Sequence, residues 1–281
     1  MSTRKVANVI RTAVLTVLSL LIISPLIILF ASSLKGTRQE ILADAGSWKA
    51  FIVTKPTLQN FVEVLSPDSM TPFLRYLLNS TIVLIATVIL TMAVSSMAAF
   101  VLYQGRFRGK KLLLAGITAL YIIPMETIML PMLYEVIGLG ISDSYIVQVL
   151  PFVASPLFIF FFYQFFSQVP SSIGEAALID GAGPFRIYLQ IYMPLNKSAL
   201  ATVAILQGMS MWNQYLWPLL SVSTDNYRPI TVAIASFFGS DTILWNLAMA
   251  GSVLMMLPVL IFYLLFQRYF IASVMSSAVK E

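Results

Sequence analysis

The sequence predicts an all-α integral membrane protein with six transmembrane helices, and three observations carry that prediction. Of the 281 residues, 59% are hydrophobic and only 10% charged, where a soluble domain carries about a quarter charged residues; the mean hydropathy is +0.88. Apolar stretches long enough to cross a bilayer recur six times along the chain. Lys and Arg gather in alternate connections between them. The chain contains neither His nor Cys, so the commonest metal ligand, the commonest base near neutral pH, disulfides and thiolate chemistry are all missing. Neither catalysis nor a metal site is expected. The net charge of +5 is a matter of distribution along the membrane rather than a sign of nucleic-acid binding.

A hydrocarbon core about 30 Å thick needs roughly 20 mostly apolar residues. Such stretches run from about Thr12 to Leu34, Leu77 to Tyr103, Leu112 to Tyr134, Tyr145 to Ser167, Ser198 to Leu220 and Leu247 to Phe270. The first follows Arg4, Lys5 and Arg11, as a signal peptide would. It is longer than the roughly 7–15-residue apolar core of such a peptide and contains Pro25, so it reads as a retained first span. Six spans put the two termini, the 2–3 loop and the 4–5 loop on one face. That face holds eleven of the seventeen Lys and Arg against Glu175, Asp180 and Glu281, whereas acids outnumber the six on the other. Positive loops stay inside, so both termini are expected in the cytoplasm, with residues 1–281 forming a single transmembrane domain in contact with lipid.

Two outer segments are long. Residues 35–76 include Trp48, Phe51, Pro56, Phe61, Pro67 and Pro72, a mixture that suggests a folded segment, and residues 221–246 include Tyr227, Pro229, Phe237, Phe238 and Trp245. Their aromatics read either as interfacial anchors or as a docking surface for an external partner. On the cytoplasmic face, Gly105 to Lys111 reads G-R-F-R-G-K-K. A phosphate-binding loop needs four residues between its glycines and a hydroxyl after the Lys; this run has three and none. It is a positive-inside anchor, and the chain is not expected to hydrolyse ATP.

The 4–5 connection, residues 169–197, is the most informative stretch. Pro170 closes the fourth span, and Ser172 with Glu175 has capping-box spacing. Ala176, Ala177, Leu178 and Ile179 continue a short helix, and Asp180-Gly181 turns it, Gly tolerating a left-handed conformation. Pro184 suits the first turn of a second helix, which Pro194 ends. A helix–turn–helix with one apolar face is predicted on the cytoplasmic membrane surface.

Glu175-Ala176-Ala177, three residues, Gly181, nine residues, Ile191, one residue, then Met193-Pro194 resembles the E-A-A loop of the permeases of ATP-binding-cassette importers, with Met193 in place of the usual Leu. The resemblance extends to Tyr121 through Tyr134, to Met211-Trp212-Asn213-Gln214-Tyr215-Leu216-Trp217-Pro218-Leu219, and to the tail from Gln267 to Lys280. As a whole the chain is similar to the smaller permease of maltose-type, carbohydrate-uptake transporters. That resemblance implies a bacterial or archaeal inner-membrane subunit paired with a second permease. Two ATPase subunits that bind ATP and Mg, and an extracytoplasmic solute-binding protein, would complete the complex; this chain binds no cofactor itself. It further implies that Glu175, Ala176, Ala177, Asp180 and Gly181 form the coupling helix: Glu175 meets a basic residue of the ATPase, the Ala pair permits close approach, and Asp180 supports the turn at Gly181.

Two sets of intramembrane polar residues remain. Glu126 lies about 14 residues, or roughly 21 Å of helix, from the cytoplasmic end of span 3, and an ionisable group at that depth is a functional hypothesis by default. Pro124 and Pro131 flank it, so it reads either as facing a cavity or as bonded to backbone groups freed by the prolines. In span 5, Gln207, Ser210 and Gln214 share one face at i, i+3, i+7 spacing. They read as interhelical glue or as contacts for sugar hydroxyls. Asn213, between Trp212 and Trp217, is the residue expected on the path, and Gln207 the one expected in packing. Asn79, Gln148 and Gln164, near span ends, read as interfacial. The function expected is a permease for a carbohydrate, with glycerol 3-phosphate or another polar solute as the alternative, and a proton-coupled carrier using Glu126 as the reading from a different class.

Overall fold

The computed structural model describes residues 3–66, 72–239 and 243–278, with side chains of the last helix described only as far as Leu264; the tail motif from Gln267 to Lys280 lies outside the described side chains. Every regular element among the described residues is helical. The α-helices in order are α1 (Thr3–Ser33), α2 (Arg38–Asp44), α3 (Gln59–Leu65), α4 (Phe73–Gln104), α5 (Lys110–Tyr121), α6 (Met125–Gly138), α7 (Tyr145–Val149), α8 (Pro156–Ser167), α9 (Ser171–Ile179), α10 (Pro184–Ile187), α11 (Met193–Leu195), α12 (Lys197–Trp212), α13 (Leu216–Ser221), α14 (Ile230–Ser236) and α15 (Trp245–Ala278), with short 3-10 turns at Trp48–Phe51 and Leu150–Phe152 and a π turn at Tyr188–Tyr192.

Among the described residues, two helices are long and apolar enough to cross a membrane unbroken, Asn8–Ser33 in α1 and Phe73–Gln104 in α4. Three predicted spans are not straight. α5 and α6 meet at 98°, and Tyr145–Phe152 meets α8 at 45°. The fifth divides into α12 and α13, with the chain non-helical between Asn213 and Tyr215. Proline accounts for these breaks, because it lacks the N–H that would bond the carbonyl four residues back. Pro124 precedes α6, Pro156 opens α8 and Pro218 lies in α13. The carbonyls so released find other donors: Thr91 Oγ1 donates to Phe152 O at 3.1 Å, and Thr231 Oγ1 to Gln214 O at 2.7 Å. Ser95 Oγ likewise donates to Val153 O. Pro131, expected to flank a break, stays inside α6.

The chain divides into two compact units. One comprises Met1–Leu74 and Ala233–Leu260. Residues 35–66, the described part of the first long segment expected outside, are folded. Lys35, only 1% exposed, pairs with Asp44 at 2.7 Å and donates to Lys49 O. The Asn60 amide donates to Ser33 O and Lys35 O, both at 2.8 Å, closing the end of α1, and Asn246 donates to Asn60 Oδ1. Phe73 packs on Gly251, where a Cβ would lie 3.1 Å from the ring.

The other unit comprises Arg75–Val232 and Ile261–Glu281. Its larger core packs Phe100, Phe158, Phe162, Phe166, Tyr188, Tyr192 and Val203 together, and a smaller one holds Met129, Val136, Val147, Trp217 and Val222. Asn79 and Gln148 are not interfacial, as their places near span ends suggest, but buried. The loop before α14 folds over them: Asn79 donates to Arg228 O, Gln148 to Tyr227 O, and Tyr145 Oη to Asn79 Oδ1. Asp143, at φ 52°, accepts the amides of Ser223 and Thr224 and the Thr224 hydroxyl.

Candidate functional site

The 4–5 connection builds its predicted helix–turn–helix from local rules, with two differences. The capping box does not form: α9 starts at Ser171 directly after extended Pro170, so Ser172 already lies inside the first turn and caps nothing. The turn is a Schellman motif. Gly181 sits at φ 81°, its N–H bonds Leu178 O at 3.1 Å, and the Ala182 N–H bonds Ala177 O at 2.9 Å, which satisfies carbonyls the helix end leaves free. Pro184 opens α10. Pro194 does not end the second helix. The chain passes through a π turn, Tyr188–Tyr192, into α11 and stops at Asn196, whose side-chain amide takes Tyr192 O.

The loop has a sealed face and an open one. Ala177, Ala182, Ile187, Tyr188, Ile191, Tyr192 and Met193 pack on the core formed with α4, α8 and α12. Burial, above all, pushes the Tyr192 hydroxyl up to about 12. On the open face Ile179 is 87% exposed and Phe185 66%. Glu175 is exposed at a cavity of about 610 Å³ that Arg106 and Lys110 also line. Lys110 donates to Tyr103 O and Gly105 O at 2.7 and 3.3 Å, a cation where the α4 dipole favours one. Ala176, Asp180 and Gly181 are exposed.

The three broken spans contribute to a second cavity, of about 770 Å³. Its wall takes Ile123 and Pro124 from the first break, Pro151, Phe152 and Ala154 to Pro156 around the second, and Gln207, Ser210 and Gln214 leading into the third. The i, i+3, i+7 face of span 5 is therefore brought together at this cavity, Gln207 included. Asn213 caps α12 instead, its amide donating to Met209 O at 2.8 Å. The indoles of Trp212 and Trp217 are buried, and Trp217 Nε1 donates to Val147 O. Glu126 is exposed in the first turn of α6, where the helix N-terminus favours a carboxylate; its neighbours Met125 and Ile128 line the cavity.

Residues 91–276 match the family described as binding-protein-dependent transport system inner membrane component. The chain belongs to this permease family. The matched range takes in the helix–turn–helix and both cavities. The permease is 30% identical over 263 residues to the arabinooligosaccharides transport system permease protein AraQ of Bacillus subtilis (strain 168), covering 94% of this chain and 92% of that protein. It is 36% identical over 212 residues to the sn-glycerol-3-phosphate transport system permease protein UgpE of Pectobacterium atrosepticum, covering 75% of each. In fold it is similar to a chain of a bacterial ABC transporter involved in the import of the acidic polysaccharide alginate. That likeness has a TM-score of 0.80 at 21% identity and covers 96% of this chain and 98% of that one. Family membership sets aside the proton-coupled carrier.

Sequence reasoning about this permease missed Gly174, Gln104 and the π-turn tyrosines. A Cβ on Gly174, which is buried in α9, would lie 3.2 Å from Tyr192 Oη and 3.4 Å from Gln104 Nε2. One signal was available: a glycine inside a helical pattern costs about 1 kcal/mol relative to Ala and calls for a reason.

Proposed function

We propose that this permease is one membrane half of an ATP-driven importer for a carbohydrate, working beside a second permease in the inner membrane of a bacterium or archaeon. Two ATPase subunits, carrying ATP and Mg, drive it from the cytoplasm, and a solute-binding protein supplies it from outside. Each bent helix pair counts as one span in this reading; with α1, α4, α12–α13 and α15 that makes six, with both termini cytoplasmic. Glu175, Ala176, Ala177, Asp180 and Gly181 belong to the segment that seats in the ATPase. The single observation that carries the reading is the two-faced 4–5 loop, sealed onto the core through Tyr188 and Tyr192 and open at Ile179 and Phe185. A short rigid element of this kind transmits rigid-body motion.

The path for solute runs by the 770 Å³ cavity, past Gln214 and the break at Trp212 and Asn213, with Glu126 at its edge. Amides both donate and accept, and apolar wall surface suits sugar C–H faces, a chemistry for a neutral polyhydroxylated solute. Glycerol 3-phosphate is the second reading, favoured by the similarity to UgpE. The two are separated by uptake into vesicles holding the complete complex, with a neutral oligosaccharide and glycerol 3-phosphate in competition.

Coupling has its own test. Gly181 has open space around it within this chain, so Gly181→Leu acts through backbone strain, about 1–2 kcal/mol in the left-handed region, and through bulk on the face that meets the ATPase. The variant is expected in the membrane at normal level but with less ATPase retained, or with hydrolysis no longer tied to uptake. Normal retention with normal uptake would sink the assignment.

A further inference from the structure

We propose that Gly174, Tyr192 and Gln104 form a contact that fixes the height of the 4–5 loop on the end of α4, so that movement imposed on the loop passes into the spans. The inference rests on the coupling role given to that loop above, and it assigns positioning residues outside the E-A-A pattern.

Four observations meet at this point. Gly174 faces inward from α9, and its missing side chain leaves room for Tyr192 Oη and the Gln104 amide and for little else: a Cβ would lie 3.2 Å from the first and 3.4 Å from the second. Tyr192 Oη is buried without a hydrogen-bond partner, a placement that costs stability relative to a bare ring. The tyrosine belongs to a π turn, a backbone geometry frequent at functional sites. The same turn is gripped from the other side: Tyr188 Oη and Ser96 Oγ share a hydrogen bond at 2.7 Å, and the Tyr192 ring lies 5.2 Å from Phe100, 5.6 Å from Tyr103 and 5.6 Å from Phe166. Core packing leaves almost no slack. A methyl group at position 174 would meet Tyr192 Oη at 3.2 Å, so α9 or the π turn must give by a few tenths of an ångström, a shift that the rings packed around Tyr192 resist.

The test uses the complete complex in proteoliposomes, reading solute imported per ATP hydrolysed and the amount of ATPase subunit retained. Gly174→Ala improves helix propensity, so a loss cannot be charged to the helix itself. It is expected to lower the import-to-hydrolysis ratio by about three- to tenfold, within the range over which residues along a coupling network act. Tyr192→Phe keeps the ring and removes the oxygen in the way; alone it should retain assembly, and combined with Gly174→Ala it should restore the ratio. If Gly174→Ala fails to assemble, restored assembly and ratio in the double variant support the contact. A normal ratio in Gly174→Ala, or a double variant no better than the single one, overturns it. Gly181→Leu in the same assay separates the two levels. If it lowers the ratio while Gly174→Ala does not, only this contact fails; if neither does, the coupling role of the loop fails as well.

Discussion

Lys35 takes a full charge into a site 1% exposed, and Asp44, at 2.7 Å with its own side chain 20% exposed, is what makes that tolerable. Removing one partner of a buried pair costs about 3–5 kcal/mol, whereas replacing both by apolar groups is often neutral. Asp44→Ala should therefore lower the unfolding temperature in detergent sharply, and Lys35→Met with Asp44→Leu should recover most of the loss. Asp143 makes the opposite bargain in the open. Partial burial pushes its pKa up, but the amide and hydroxyl of Thr224, the Ser223 amide and the Arg228 charge hold it below the usual carboxylate value. A depressed pKa gives stability that is present above the unfolded value and lost as pH falls through the folded one. Hydrogen exchange at the Ser223 and Thr224 amides is therefore expected to quicken, relative to neighbouring amides, as pH drops below the ordinary Asp range. Asp143→Asn should remove that pH dependence.

Broken helices are the feature of this molecule at the scale of the element. A carbonyl left unpaired in hydrocarbon costs several kcal/mol, so each proline break needs a replacement donor; at Pro124 the Ile123 N–H reaches Leu120 O within the turn. Thr91 serves Phe152 O and Thr231 serves Gln214 O. Thr91→Val keeps shape and removes the donor; it should cost about 1–3 kcal/mol, the penalty of the carbonyl left unpaired, read as a lower melting temperature in detergent, and Thr91→Ser should retain most of the stability. The prolines themselves were legible in the sequence, and so was the break at Pro124. Gly181 at positive φ and Pro184 at the start of α10 were legible for the same reason, since these residue types restrict the backbone locally. The capping box misled because Pro170 had already set the helix start one residue earlier. The π turn was not legible, because a shift from one hydrogen-bond register to the next leaves no mark in residue type. Asn79 and Gln148 were misread because the loop that covers them arrives from about eighty to a hundred and fifty residues away, beyond the reach of any local pattern.

For the molecule as a whole, the central claim is that three broken spans surround the route taken by solute. Chain chemistry helps the test, because the sequence has no cysteine, so an introduced thiol is the only one on this chain and, with partner subunits freed of cysteine, the only one in the complex. Gln214→Cys, on the cavity wall, is compared with Leu112→Cys, whose native side chain is 78% exposed on an apolar span. Both are labelled with a small water-borne thiol reagent in vesicles holding the complete complex, with and without transported solute, binding protein and ATP. The account predicts that Gln214→Cys reacts from water, that its rate changes on cycling, and that solute slows the reaction, while Leu112→Cys stays indifferent to solute. A Gln214→Cys thiol that never reacts, or that reacts at one rate whether or not solute is moving, would contradict it.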